Sequence, residues 1–391
     1  MPQVDQFLEG KMKKANYFPL GVAKEEAFCN RVVEREQLIN NIEQGKHTLI
    51  ISPRRYGKSS LVLYCLDEFK LHYDRVDLFV AINAKTIEEQ ILKGVKNLIA
   101  KVSSVPEQAV GFIKQYLKNL KSKWVIGTDG VNIELIPEKE SDPANTILEA
   151  LQMLETVLKK KKVKAVFFID EFQEIGVLAN SSGIEGAIRH VAQECEYLHF
   201  IFSGSNRHIL ANMFDDRSSP LYMLCDRIVL NRISEQDYIT HLGRIIDKTT
   251  KKPLQEAVIS EIFKLTERHP YYMNALCDKL KIGYTADVLI AEEVKERWDD
   301  YVLQEESRTA RDLSPLNILQ KKILIAVSQG AFAELTGKAA LHKFGVTSAA
   351  VVKSLSLLEE QDYINKNKQG EYSVVDPLIK ASLRVFYPAI Q

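Results

Sequence analysis

"LIISPRRYGKSSLVLY", Leu49–Tyr64, passes from an apolar run through a basic turn into a segment of helical spacing. A phosphate-binding loop needs a glycine-containing turn after a buried strand, because backbone N–H groups must point inward at the phosphates and the dipole of the next helix reinforces them. Gly57, Lys58 and Ser59 supply the last three positions of that pattern: close backbone approach, a point charge for the outer phosphates, and a hydroxyl for a magnesium ion. Ser52 stands where the pattern has its first glycine. A Gly-Lys-Ser/Thr triplet arises by chance roughly 0.2 times in a chain of this length, so the surroundings must decide.

They agree with the pattern. "HTLIIS" is a short apolar run of strand length, and Leu61, Val62, Leu63 and Leu66 continue past Ser59 with helical spacing, which completes the order strand, loop, helix. "VDLFVAI", Val76–Ile82, reads as a second buried strand, followed by helical spacing from Thr86 to about Leu120. "ANTILEALQMLETVLKKKK" is a capped amphipathic helix leading into "VKAVFFIDEFQEIG", where the apolar run Ala165–Ile169 ends in Asp170 and Glu171. "LHFIFSGSN" and "DRIVLNRIS" give a fourth and a fifth strand. Near-continuously apolar strands alternating with helices predict an α/β fold with a parallel sheet covered on both faces, over residues 28–231. Within it, "KWVIGTDGVNIELIPE" (123–138) alternates about Asp129-Gly130 and reads as a hairpin insertion.

Residues 1–27 precede this core as an N-terminal extension. From Ser234 to about Arg311 the only period is helical, broken at "RHPYY" (Arg268–Tyr272), which predicts a helical lid domain over 232–312. Residues 313–391 read as three helices and a two-stranded wing turning at Gln369-Gly370, a winged helix.

In the 391 residues, 52 basic and 52 acidic side chains cancel, so no global field draws the chain onto nucleic acid or an anionic membrane. Cys29, Cys65, Cys195, Cys225 and Cys277 are scattered without C-x-x-C spacing, so neither a zinc site nor a disulfide framework is indicated. "MPQVDQFLEGKMKKANYF" lacks the apolar core of a signal peptide, and no apolar run approaches a membrane span. The expected compartment is the cytoplasm, with no membrane partner.

Asp170 ends a buried strand, where open α/β sheets bind ligands, and is expected to hold magnesium through water opposite the Ser59 hydroxyl. Glu171 points elsewhere because strand side chains alternate, and is expected to orient and deprotonate an attacking water. Lys58 is the expected charge on the transferred phosphate. Ser205, with Ser203 close behind, is the expected sensor of the terminal phosphate, and one of Arg207, Arg217 or Arg227 could stabilise charge in the transition state.

"FCNRVVEREQL", "SPRRYGKSSLV", "FFIDEFQEI", "FSGSNRHILANMFDDRSSPLY", "RHPYYMNALCDKL" and "YSVVDPLIKASLR" together resemble the archaeal-type ATPase family, within the STAND branch of AAA+ P-loop ATPases. The resemblance spans nearly the whole chain in the right order, and extends more distantly to origin-recognition initiators. It implies binding and hydrolysis of ATP to ADP with Mg2+. It also implies a loop in which Pro53 shapes the turn in place of the missing glycine, followed by Arg54, Arg55, Tyr56 and, past the lysine, Ser60. Asn30, Arg31 and Glu34 are implied to frame the adenine end, and His269-Pro270 to close over the nucleotide. The chain departs from the family after "SPLY", where "MLCDR" replaces a common Gly-Arg pair and leaves the role of Arg227 open.

Three roles fit these motifs: a nucleotide-driven switch acting on a protein partner or on self-assembly in the ATP state, an ATP-dependent DNA-binding protein, and a nucleotide-holding scaffold. The expected recognition helix, "TSAAVVKSLSLLEEQDYI", sets one lysine, Lys353, against Glu359, Glu360 and Asp362, whereas DNA phosphate contacts need several basic residues. Lys321, Lys322, Lys338, Lys343, Lys366 and Lys368 on its flanks keep DNA as the alternative partner, and the switch is the favoured reading. The same domain could then serve as an internal clasp with His342 as a phosphate contact. The basic clusters at Lys11–Lys14, Lys118–Lys123 and Lys159–Lys162 read as solvated helix ends.

Overall fold

Strands that are apolar along their whole length are stable only when both faces of their sheet are covered. The computed structural model describes residues 16–102, 123–126, 133–136, 142–178, 181–285, 288–330 and 334–387. Its strands are β1 (Thr48–Ile51), β2 (His72–Asp77), the pair β3 (Lys123–Ile126) and β4 (Ile133–Ile136), then β5 (Ala165–Asp170), β6 (Leu198–Gly204) and β7 (Asp226–Val229). Five of them form one parallel sheet in the order β2-β5-β6-β1-β7. Alternate residues of β5 serve the two faces. Phe167 and Ile169 join Phe200 and Phe202 beneath the helices Ala84–Val102, Pro143–Lys161 and Ser182–Glu194, while Val166 and Phe168 pack under Val32–Glu43 and Lys58–Glu68.

The second strand differs from expectation. It runs from His72 to Asp77, and the apolar residues beyond it turn away: Phe79, Val80 and Ile82 are exposed. β2 is an edge strand whose buried positions are Val76 and Asp74, and Asp74 accepts from Lys101 Nζ at 2.8 Å. A paired carboxylate in an inward position hides the strand from a hydrophobic reading. The ladder closes where Leu78 N–H donates to the Asp170 carbonyl (3.1 Å). β3 and β4 pair antiparallel as a hairpin requires. The expected turn at Asp129-Gly130, the helical spacing toward Leu120 and the Lys11–Lys14 cluster lie outside the described residues.

After β7 come five helices, Glu235–Lys248, Glu256–Thr266, Pro270–Lys279, Ala291–Gln304 and Glu306–Leu313. A second core containing Tyr238, Ile262, Tyr272, Leu276 and Trp298 lies among them, and Phe18 and Leu378 reach it from the two ends of the chain. The break at "RHPYY" is a left-handed turn, with φ +48° at Glu267 and +58° at Arg268, before Pro270 opens the next helix. Three further helices, Ile318–Ser328, Lys338–Phe344 and Ser348–Glu360, precede the antiparallel strands β8 (Ile364–Lys366) and β9 (Tyr372–Val374), which turn through Gly370 at φ +88°. The helix Pro377–Phe386 follows, and Ile323, Leu324, Val351, Leu358 and Ile364 form a third core. Among the described residues no helix is long and apolar enough to cross a membrane.

Four histidines, His47, His199, His241 and His269, are buried, and burial pushes each ring toward its neutral form. Burial pushes His269 down to about 3, and His199 and His241 down to about 4, from an ordinary value near 6.5. The unfolded chain therefore takes up protons near pH 6.5 that the folded chain refuses until pH 3–4, and their contribution to stability is lost as pH falls through that window. Urea midpoints should be flat above pH 7 as far as these rings are concerned and decline from pH 6.5 toward 4. His269→Phe, which keeps a ring against Tyr56 and Tyr272, should make the decline shallower.

Candidate nucleotide-binding site

β1 ends in a turn that only an unbranched backbone can follow. Gly57 sits at φ +89°, where a side chain would be strained, and a Cβ placed there would meet nothing within 4 Å. The open space is a cavity of about 250 Å³. Its wall is made by the loop and the start of the helix Lys58–Glu68, by Pro19–Ala23 and Ala27–Cys29 before the sheet, and by Ile233, Tyr238, Pro270, Tyr271 and Asn274 after it. Of the residues expected from the sequence, Arg31, Arg55, Tyr56, Gly57, Lys58, Ser59, Ser60, Glu171 and Pro270 line this cavity. Asn30, Pro53, Arg54, Asp170, Ser205 and His269 are not in its wall.

Lys58 is 6% exposed, and its ammonium donates only to the carbonyls of Ser52 (3.4 Å) and Pro53 (3.5 Å). Burial pulls it below the ordinary lysine value, with Glu171, Asp170 and Asp362 acting in the opposite direction. Two long carbonyl contacts underuse three N–H donors, so the ammonium has capacity for an anion in the cavity. The N-terminus of the helix Lys58–Glu68 faces the same space.

Asp170, 1% exposed at the end of β5, gathers donors from three other segments and from the next residue. Its Oδ2 accepts from Ser59 Oγ (2.6 Å) and Arg75 Nη2 (2.7 Å). Its Oδ1 accepts from the Ser203 hydroxyl and from Glu171 N (3.2 Å). Ser59 and Asp170 thus present a hydroxyl and a carboxylate oxygen side by side beside the cavity, a donor set that fits a hard divalent cation such as Mg2+. Glu171, at φ +53°, leaves the strand in the left-handed region. Its Oε2 accepts from Ser205 Oγ (2.8 Å) and Gln173 Nε2 (2.6 Å). The two serines at the end of β6 therefore divide their work, Ser203 holding Asp170 and Ser205 holding Glu171.

Arg31 is 5% exposed at φ +54°, and its guanidinium binds Glu34 Oε1 (2.9 Å), Tyr56 O (3.0 Å) and Asn231 O (2.8 Å). It braces the loop against the chain leaving β7. Asn30 turns its amide to Asp237 instead, and His269 packs edge-on behind Tyr56 at 4.8 Å. The Arg55 guanidinium lies over the Tyr271 ring at 4.3 Å. Among the three candidate arginines, Arg227 pairs with Asp215 away from the cavity and Arg217 is exposed, while Arg207 Nε reaches Asp362 after the helix Ser348–Glu360 at 2.8 Å. Only Arg207 joins the end of β6 to the C-terminal helices and strands. His342 is exposed on the helix Lys338–Phe344.

Spacing did not reveal Pro19–Ala23, Tyr238, Asn274, Arg75, Gln173, Arg232 or Asp362. Residues 19–23 are pinned in the wall by Asn274 Nδ2 donating to Pro19 O (2.8 Å) and by Ala23 N donating to Ser60 Oγ (3.0 Å), contacts that close loops of more than 250 and nearly 40 residues. Arg232 donates to the Tyr56 hydroxyl (3.3 Å), to Glu267 (2.7 Å) and to Val375 O (2.9 Å). Arg31→Ala should lower stability by about 2–3 kcal/mol in urea unfolding, because it leaves the Tyr56 and Asn231 carbonyls and the Glu34 carboxylate without their charged donor.

No family model and no curated protein sequence matches the chain. Solved structures do. The Walker-type ATPase PABY2304 of Pyrococcus abyssi is similar with a TM-score of 0.68 at 17% identity, over 94% of this chain and 99% of that one. The ORC2 protein of Aeropyrum pernix, in its ADPNP–ADP complexes, is similar with a TM-score of 0.58 at 13% identity, over 96% of this chain and 99% of that one. The chain has the α/β fold of P-loop AAA+ ATPases, the fold its motifs resemble.

Proposed function

We propose that the protein binds and hydrolyses ATP with Mg2+ and uses the nucleotide as a conformational switch. The observation that carries this reading is the meeting of Ser59 and Asp170 at 2.6 Å beside a cavity lined by buried Lys58 and by Glu171. Ser59 and Asp170 are the residues that would hold Mg2+, which supplies charge neutralisation between the phosphates when bound. Lys58 places its ammonium against the outer phosphates. Ser205 and Gln173 fix Glu171 through Oε2, so that Oε1 takes the proton of the attacking water. The base would sit on the residues around Tyr238, Pro270 and Asn274, within the helical lid.

Under this reading the region 313–387 is a winged-helix clasp. Arg232 and the Arg207–Asp362 pair join it to the loop and to the end of β6, and these are the contacts that a nucleotide-dependent movement of the clasp would break. The partner is a protein or a second copy of the chain, recruited when the clasp moves. The helix Ser348–Glu360 supports this over DNA, since its exposed face pairs Lys353 with Val352 and Glu359.

Lys58→Ala should abolish ATP binding in a calorimetric titration, and retention of the unaltered affinity would remove the phosphate-loop assignment. Glu171→Gln should keep ATP binding and slow steady-state turnover by at least about a hundredfold, the lower range for loss of a general base. Near-normal turnover would move the base elsewhere.

A further inference from the structure

Arg75 has no part in the phosphate-loop pattern, yet it touches the same Asp170 oxygen as Ser59. β2 and β5 are parallel with Arg75 opposite Phe168 and Asp77 opposite Asp170. Side chains two apart on a strand share a face, and in-register partners share it too. Arg75, Asp77, Phe168 and Asp170 therefore lie together on the face that carries the helix Lys58–Glu68. The guanidinium sits 6.0 Å above the Phe168 ring, and its Nη2 bridges Asp170 Oδ2 (2.7 Å) and Asp77 Oδ2 (2.9 Å).

The two carboxylates are unequal. Asp170 is buried and also accepts from Ser59 on the same Oδ2, whereas Asp77 is 48% exposed. Arg75 is 31% exposed at the sheet edge and borders an open cleft of about 450 Å³ whose wall also includes Asp77, Gln90, Lys93 and Asn97. Its buried Nε has no hydrogen-bond partner. One nitrogen thus carries the whole interaction with both carboxylates, and the guanidinium already touches an exposed carboxylate besides Asp170.

From this geometry we propose that Arg75 gates the metal: it competes with a divalent cation for Asp170 Oδ2 and is received by Asp77 when the cation takes that oxygen. Arg75 is a positioning residue, and it sets how much Mg2+ the nucleotide site requires. The inference rests on the nucleotide reading above and adds a determinant of metal affinity to it.

The test is Mn2+ affinity, read by electron paramagnetic resonance on the full-length chain saturated with ADP, for the unaltered protein, Arg75→Met and Asp77→Asn. Removing the competitor should tighten Mn2+ by about tenfold or more, the worth of one displaced charged hydrogen bond. Removing its alternative partner should weaken Mn2+ relative to the unaltered protein. Opposite shifts from two neighbouring substitutions distinguish gating from damage to the fold. Equal affinities in all three, or weaker binding in Arg75→Met, would overturn the gate and make Arg75 a support for Asp170. ADP binding by the unaltered protein in saturating Mg2+ is measured first: its absence overturns the nucleotide reading and the gate together, while ADP binding with unshifted Mn2+ affinity overturns the gate alone.

Discussion

A carboxylate with almost no solvent contact must find its donors inside the protein, and Asp170 finds three in other segments and a fourth in the next residue's N–H. Leaving such a group unpaired costs several kcal/mol. The loop helix through Ser59, the edge strand through Arg75 and the strand β6 through Ser203 must therefore end at the same level. The parallel register makes this possible: Asp77 faces Asp170, Ile169 faces Phe202, and Ile51 faces Gly204, so the carboxyl ends of the strands form one edge. Ligand chemistry in open α/β sheets collects at that edge for the same reason.

The sheet, the helices after it and the C-terminal region are joined by polar contacts as well as by the apolar packing of Leu378. Arg232 leaves β7 and reaches the loop at Tyr56, the helical turn at Glu267 and the strand β9 end at Val375, and Lys380 adds a second cation to Glu267 at 2.6 Å. Arg207 ties the end of β6 to Asp362, and Tyr272 ties the second core to Asp376 at 2.7 Å. Charged and hydrogen-bonded junctions can exchange partners with water or a ligand at lower cost than a packed apolar seam, so relative movement of these parts is the physical expectation. Under the proposed function, that exchange is how events at Lys58 reach the C-terminal helices and strands.

Much of the site could be read from the chain because its chemistry is local. Gly57, Lys58 and Ser59 are contiguous, Asp170 and Glu171 end an apolar run, and Ser203 and Ser205 follow another. The second strand was expected at Val76–Ile82 and its start at His72 escaped, because its inward position holds Asp74, a carboxylate made tolerable by Lys101 some 27 residues away. The wall at Pro19–Ala23 escaped because irregular chain carries no period, and its place depends on Asn274, which is distant in sequence.

What the sequence determined by itself was the order of strands and helices, the Gly57-Lys58-Ser59 turn after β1 and the acidic strand end, since each rests on hydrophobic period or on residues adjacent along the backbone. The tertiary structure alone decided that Arg75 shares an oxygen with Ser59, that Ser205 rather than Ser203 holds Glu171, and that Arg207 rather than Arg217 or Arg227 meets the C-terminal region. Those outcomes depend on sheet register and on which loops fold back across the strand ends. Both are set by burial summed over the whole core, which no short stretch of residues encodes.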